Sequence, residues 1–424
     1  MRNLLAWARS GQWRAATIAV WGVGLLLMAR VVRTLVSNMI GLGVPWDTKQ
    51  PHTLLDFRDL IIVPGRFLWN GGNPYDNDSY LAINPWAQEF DPYAPTWLLI
   101  SGALGWMPPK VAAAIYLLLG NGAVAGMCRL LSGWVTRSQI WLLAGLFFCY
   151  AQLWYPTRTI SSSLLVTVGV AICFAELWRR EPRWHDGAGL AIALVKPQFG
   201  VPLLVFMALA RQWRMVWRSV VWVLATSLAP LVACVVASGG PVGFVRDIFE
   251  VAAHAASAQA PTGLASPENF RTDLQGLAYR FSPALGTPAL IAAVIVFGLV
   301  CLLWLRSDKQ ARIAPAVLLS TIALLPIHIS YDWVIFVVSA AAAAAWCRAC
   351  PARERLVGAA VVITPILNQY RIPSLFGIQR READLIAMLW VLLVLVLGSI
   401  MLLRDRPAVA PRLGKGFAPS GIKL

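Results

Sequence analysis

Ten apolar stretches divide this chain, and nothing else in it restricts the fold as strongly. They run over 16–39, 111–132, 139–155, 161–179, 217–238, 287–305, 312–329, 332–347, 355–369 and 384–403. A helix needs about 20 apolar residues to cross the hydrocarbon core of a bilayer. In lipid, backbone polar groups are satisfied only by helices or closed barrels. What lies between the stretches cannot cover a soluble protein, since 58% of the residues are hydrophobic and 13% are charged. Ordinary globular domains carry about 25% charged residues. The expected fold class is an all-α polytopic membrane protein, with these ten spans joined by re-entrant or half helices and helices in the external loops. The first stretch follows Arg2, Arg9 and Arg14 and is too long for a cleaved signal, so it reads as a retained anchor.

The net charge of +16 does not point to nucleic acid. Lys and Arg are dispersed in small clusters at 129–137, 179–183, 211–218, 306–312, 348–355 and 404–423. That is the pattern of cytoplasmic anchors, whereas a nucleic-acid binder concentrates basic charge on one face. With a cytoplasmic N-terminus every cluster becomes cytoplasmic, provided that 94–107 and 187–210 do not each cross once. Segment 94–107 follows Pro92 and Pro95 and stops at Pro108-Pro109, so it reads as a helix dipping into the outer leaflet. Segment 187–210 lies between two basic clusters and is broken at Lys196-Pro197-Gln198. A re-entrant hairpin of two half-helices satisfies both flanks; two ordinary spans are the alternative. Residues 1–404 then form a single transmembrane domain roofed by external loops 42–93 and 239–286. Residues 405–424 are expected to be a disordered cytoplasmic tail, so both termini lie in the cytoplasm.

Several chemistries lack support. The seven cysteines sit in or beside apolar runs, and Cys347/Cys350 form a lone CxxC, so no disulfide framework is implied. There is no P-loop and no HExxH, and the four histidines are scattered. ATP-driven transport and zinc hydrolysis have no footing.

Three places carry candidate chemistry. In the first external loop, Asp56-Phe57-Arg58-Asp59 precedes a helical run and Gly71-Gly72-Asn73-Pro74-Tyr75-Asp76. Asp56 is either a helix N-cap or, if buried beside apolar rings, a general base of raised pKa. Lys196 sits within an apolar segment, where a lysine costs about 2.5–3.5 kcal/mol and tends to mark function. It either contacts a phosphate or snorkels to an interface. His328, within Pro326-Ile327-His328-Ile329-Ser330-Tyr331-Asp332-Trp333, either serves a leaving phosphate or acceptor hydroxyl, or is hydrogen-bonded within a turn. Arg158 and Arg371 emerge on the same external side against the charge bias, which suits anion binding.

Taken together, these residues resemble glycosyltransferase family 87 of the GT-C superfamily, whose members use polyprenyl-phosphate sugars. The likeness rests on Asp56-Phe57 followed by Gly71 to Asp76, on Tyr93-Ala94-Pro95, on Lys196-Pro197-Gln198 with the basic cluster after it, and on His328 to Trp333. It spans roughly residues 15–400. The stretch Tyr155 to Ser163, with Arg158 and three serines, and Asp59-Leu60-Ile61 depart from the family pattern. The resemblance implies a GT-C-type bundle in a bacterial plasma membrane with an extracytoplasmic active site. It also implies an inverting, metal-independent transfer without cofactor. The sugar, mannose first and arabinofuranose second, would pass from a polyprenyl monophosphate carrier to a glycolipid or cell-envelope glycan. Asp56 would be the base. Lys196, Arg158 and Arg371 would hold the donor phosphate, and Asp59, Arg58, Tyr75, His328, Tyr331 and Asp332 would contact substrate. Asp59 competes with Asp56 for the base role and otherwise pairs with Arg58. A lipid-linked-glycan flippase or transporter is the alternative function.

Overall fold

The computed structural model describes residues 57–131, 162–177, 183, 185–257, 263–266, 271–306, 313–326, 330–346, 354–367 and 377–404, with isolated positions 18, 21, 22, 25, 26 and 29. The described residues form helices and no strand. A π-helical turn, Arg58–Ile62, leads into α1 (Val63–Trp69), followed by α2 (Asn77–Ile83), α3 (Thr96–Gly105) and α4 (Pro109–Leu131). Then come α5 (Ser163–Leu177), α6 (Ala188–Ala193), α7 (Pro197–Leu209), α8 (Trp213–Ala237) and α9 (Pro241–Ala256). The later elements are α10 (Leu274–Phe281), α11 (Gly286–Arg306), α12 (Ala314–Leu324), α13 (Phe336–Trp346), α14 (Arg355–Leu367) and α15 (Arg380–Arg404). The all-α membrane class expected from the apolar stretches is what the chain adopts.

Four helical stretches among the described residues are long and apolar enough to cross a membrane: Pro109–Met127, Trp213–Ala237, Pro283–Arg306 and Arg381–Arg404. They answer to the expected spans 111–132, 217–238, 287–305 and 384–403. Spans 16–39 and 139–155 lie outside the described residues, apart from those isolated positions. Of the remaining four, α12 is shorter than expected, with 11 residues, while the described parts of α5, α13 and α14 have 15, 11 and 13. The physical reason is visible in α12, which is buried at every position. A helix enclosed by protein can end at membrane depth without exposing its backbone to lipid.

The long helices are built the other way round. α8 exposes Leu224, Leu228, Val232 and Val236 and turns Ser219, Ser227, Pro230 and Cys234 inward. α11 exposes Ile291, Ile295, Leu299 and Leu302 and buries Ala293, Cys301 and Trp304. Small residues inside and large aliphatic ones outside suit helices whose outer solvent is lipid. Exposed tryptophans mark both ends: Trp213 and Trp217 beside the arginines at the start of α8, and Trp69 and Trp106 in the first loop. Indoles gather at the headgroup level of membranes.

Two cores result. The larger packs α5, α7, α11, α12, α13 and α15 around Phe174, Phe206, Trp304 and Phe336. The smaller packs the first loop, α3 and the start of α4 against the far end of α8 and α9. Segment 187–210 joins them and adopts the hairpin form. Proline disfavours the helical region for the residue before it, and Lys196 accordingly is extended (φ −106°, ψ 104°) ahead of Pro197. α7 then turns back so closely that a Cβ on Gly200 would lie 2.3 Å from Leu194 Cα. Both feet stand at the start of α8. Gly187, in the left-handed region at φ +92°, lies so near that a Cβ on it would be 2.6 Å from Ser219 N, and α7 reaches α8 through residues 211 and 212. The tip inserts between the cores, with Val195 in the smaller and Phe199 in the larger.

Candidate active site

Lys196, at the hairpin tip, is buried, and Nζ donates to Ser163 Oγ at 2.8 Å. Ser163 is the first residue of α5. The ammonium also lies 5.8 Å from the centre of the Tyr93 ring. Tyr93 is fixed from several sides. Its hydroxyl accepts from Ser162 Oγ at 2.9 Å, and its carbonyl accepts from the Tyr75 hydroxyl at 2.6 Å. Next to it, Ala94 N donates to Val195 O at 3.1 Å, tying this strand of the first loop to the hairpin. A cation, two serine hydroxyls at a helix start and an aromatic ring thus meet in one corner. Helix N-termini and ammonium groups both favour phosphate. Neither the serines nor Tyr93 had been given a site role. The run of three serines at 161–163 and the Tyr93-Ala94-Pro95 element were the available signals.

Arg58 and Asp59 occupy a different environment from the one expected. Both are buried, and the guanidinium grips the carboxylate in a bidentate pair, Nε to Oδ1 at 2.6 Å and Nη2 to Oδ2 at 3.0 Å. Arg58 also stacks 5.1 Å above the Trp86 ring and donates to Trp86 O at 3.3 Å. Burial raises the Asp59 carboxyl above its ordinary value, and Arg58 together with the Gln88 backbone N–H offsets part of that rise. A raised pKa alone would favour a base, but both oxygens are taken and no solvent reaches them. The two side chains are thus paired with each other, with Trp86 O as a further acceptor for Arg58.

Tyr75 serves as an internal brace. It is buried, its phenol lies well above the ordinary value of 10.0 through desolvation, and it packs edge-on against Phe90 and Phe244. The neighbouring Asn73 donates through Nδ2 to Asp247 Oδ2 and to Ser238 Oγ, both at 2.9 Å, while Ser238 Oγ donates to Asp247 Oδ2 at 2.7 Å. The Gly-Gly-Asn-Pro-Tyr element thus fastens the first loop to the α8–α9 junction. Glu89 and His254 form a second link to α9.

Asp56, Arg158, Arg371 and His328 lie outside the described residues. Tyr331 and Asp332 belong to the 3-10 turn Ser330–Ile335, and their side chains are also outside the described set. In that turn Trp333 is buried, and its indole N–H has no hydrogen-bond partner among the described residues. A second buried cluster pins α10 to α15. Arg271 pairs with Asp273 at 2.8 Å, and Arg280 with Asp384 at 2.9 Å. No group of three or more metal-ligating side chains occurs among the described residues.

A bundle of helices, four of the described stretches long and apolar enough to cross a membrane, defines a class, the all-α integral-membrane proteins. The comparison with protein families makes this specific. Glycosyltransferase family 87 matches over residues 92–327, more than half of the 424-residue chain, and the chain belongs to that family. The protein is a membrane glycosyltransferase. The matched region contains Tyr93, Ser162, Ser163 and Lys196; Asp56, Tyr75 and His328 fall outside it. No curated protein and no solved structure matches the chain.

Proposed function

We propose that this glycosyltransferase takes its sugar from a polyprenyl monophosphate carrier and passes it to a glycolipid or cell-envelope glycan. Mannose is the first choice of sugar and arabinofuranose the second. The observation that carries the reading is Lys196, buried at the hairpin tip with its ammonium on Ser163 at the start of α5. A donor phosphate in that corner would receive the ammonium charge together with the helix N-terminus. Arg158 and Arg371 add charge, and His328, Tyr331 and Asp332 contact the substrates. Arg58, Asp59 and Tyr75 have a supporting role only.

In the proposed reaction Asp56 takes the proton of the acceptor hydroxyl as its oxygen attacks the anomeric carbon. The bond from that carbon to the phosphate oxygen breaks, its electron pair passing to the phosphate, and polyprenyl monophosphate leaves. Configuration is inverted, and the proton remains on Asp56 until solvent removes it. No metal ion or cofactor takes part. Cations placed where negative charge develops are a major source of such catalysis. The site faces outward from a bacterial plasma membrane, with both termini in the cytoplasm.

A donor screen tests this. Purified protein is given polyprenyl-phosphate mannose, polyprenyl-phosphate arabinofuranose or a nucleotide sugar, and the lipid products are read by mass spectrometry. Transfer from a polyprenyl-phosphate donor with inversion is expected. Transfer from the nucleotide sugar alone would overturn the proposal. Transport of lipid-linked glycan without sugar transfer would also overturn it.

A further inference from the structure

The corner between α7 and α8 contains a residue in the left-handed region whose side chain has no partner among the described residues. α7 ends with paired hydrogen bonds, Arg211 N to Ala208 O and Gln212 N to Met207 O, both at 2.9 Å. This closure places the residue after the cap in the left-handed region, a position that suits glycine. Here it is Arg211, at φ 57°, the one non-glycine residue with positive φ among those described. A helix end alone gives no reason for an arginine there, because glycine would close the same turn without strain.

The side chains suggest what the arginine serves. Arg211 and Arg214 are both exposed, and neither side chain forms an ion pair or hydrogen bond among the described residues. Arg218, one turn further on, is committed to Asp186 at 3.4 Å and to the Arg183 carbonyl. Flanking the two open guanidiniums are Trp213 and Trp217, 61% and 68% exposed and one helical turn apart. The lipid-facing row of α8 begins directly beyond them at Val221 and Leu224. The pattern along the helix is therefore guanidinium, indole, then aliphatic, which follows a lipid from phosphate through glycerol to acyl chain. Guanidinium groups bind phosphate bidentately, and basic residues beside a span attract anionic lipid.

We infer that the α7–α8 corner is a binding site for an anionic phospholipid, with its phosphate held between Arg211 and Arg214 and its glycerol region against Trp213 and Trp217. The complementarity is of charge as well as depth: two cations sit at headgroup level with no carboxylate among the described residues to neutralise them. The site stands at the foot of the hairpin and is distinct from the corner at its tip.

Thermal unfolding of the full chain, in neutral micelles supplemented with phosphatidylglycerol, phosphatidylcholine or inorganic phosphate, tests the inference. Phosphatidylglycerol should raise the midpoint above that in phosphatidylcholine, and inorganic phosphate should not reproduce the rise. The double variant Arg211→Gln/Arg214→Gln should lose the difference and retain phosphatidylglycerol at least tenfold more weakly in native mass spectrometry. Arg211→Gly separates ligand binding from folding, because it should raise the midpoint in phosphatidylcholine by relieving strain yet shrink the phosphatidylglycerol increment. Equal midpoints in the two lipids for the unaltered protein would overturn the inference. So would a full increment in either variant, or a full increment from inorganic phosphate.

Discussion

Arg58 and Lys196 are hidden from solvent to the same degree, 4% and 2% exposed, yet they are held in different ways. Arg58 is satisfied within its own turn: the adjacent carboxylate takes two of its N–H groups and a loop carbonyl a third contact. Lys196 stands on a hairpin tip and draws its contacts from elsewhere, a hydroxyl at the start of α5 and a ring from the first loop. A charge neutralised by its neighbour in sequence braces the fold. A charge brought to a junction of three segments, beside a hydroxyl at a helix start and an aromatic ring, lies where the donor phosphate is proposed to bind. The Arg271–Asp273 pair repeats the first arrangement in the second loop. Burial alone therefore does not separate structural charge from functional charge; the surroundings do.

That contrast predicts a double dissociation. The largest effect should come from Arg58→Met, which strands a buried carboxyl. Breaking such a pair typically costs about 3–5 kcal/mol, so the thermal midpoint should fall sharply while donor affinity per folded molecule is unchanged. Replacing both partners, Arg58→Met with Asp59→Leu, should recover most of the loss. A single variant that melts like the unaltered protein would break the comparison at its structural end. Next comes Lys196→Met. Losing a charged hydrogen bond of about 1.5–3 kcal/mol should raise the donor KM by about 10–100-fold with little change in midpoint. A large fall in midpoint with an unchanged donor KM would place Lys196 in the same class as Arg58.

Tyr75→Phe tests the brace between the two regions. It removes the hydroxyl bound to the Tyr93 carbonyl, which should cost about 1 kcal/mol of stability and raise the donor KM by a smaller factor than Lys196→Met. The smallest effect is expected from chelation: transfer rates measured with and without EDTA should agree, in keeping with a metal-independent reaction.

Much of the architecture is legible before any coordinates, for physical reasons that can be named. Lys196-Pro197-Gln198 marks the hairpin tip because proline forces its predecessor out of the helix, and the charge asymmetry on the two flanks demands that the chain return. Pro108-Pro109 marks the gap between α3 and α4 for the same steric reason. The length of α12 is not legible, since an apolar run reads alike whether lipid or protein surrounds it, and only packing shows which. The same limit applies to the site. The sequence leaves Asp59 open between a substrate role and pairing with Arg58, and only the geometry shows the pair. Asn73 and Asp247 meet across 174 positions, and nothing local in either segment announces the other. Tyr93, Ser162 and Ser163 are uncharged residues whose importance comes only from Lys196 arriving between them.

Single-turnover sugar transfer by Asp56→Asn, with the polyprenyl-phosphate donor already bound, is the most direct test of the central claim. The variant should bind donor as the unaltered protein does, through the Lys196 corner, and transfer sugar at least about 100-fold more slowly, the loss expected when a general base is removed. Transfer at the unaltered rate from the same donor would contradict the account.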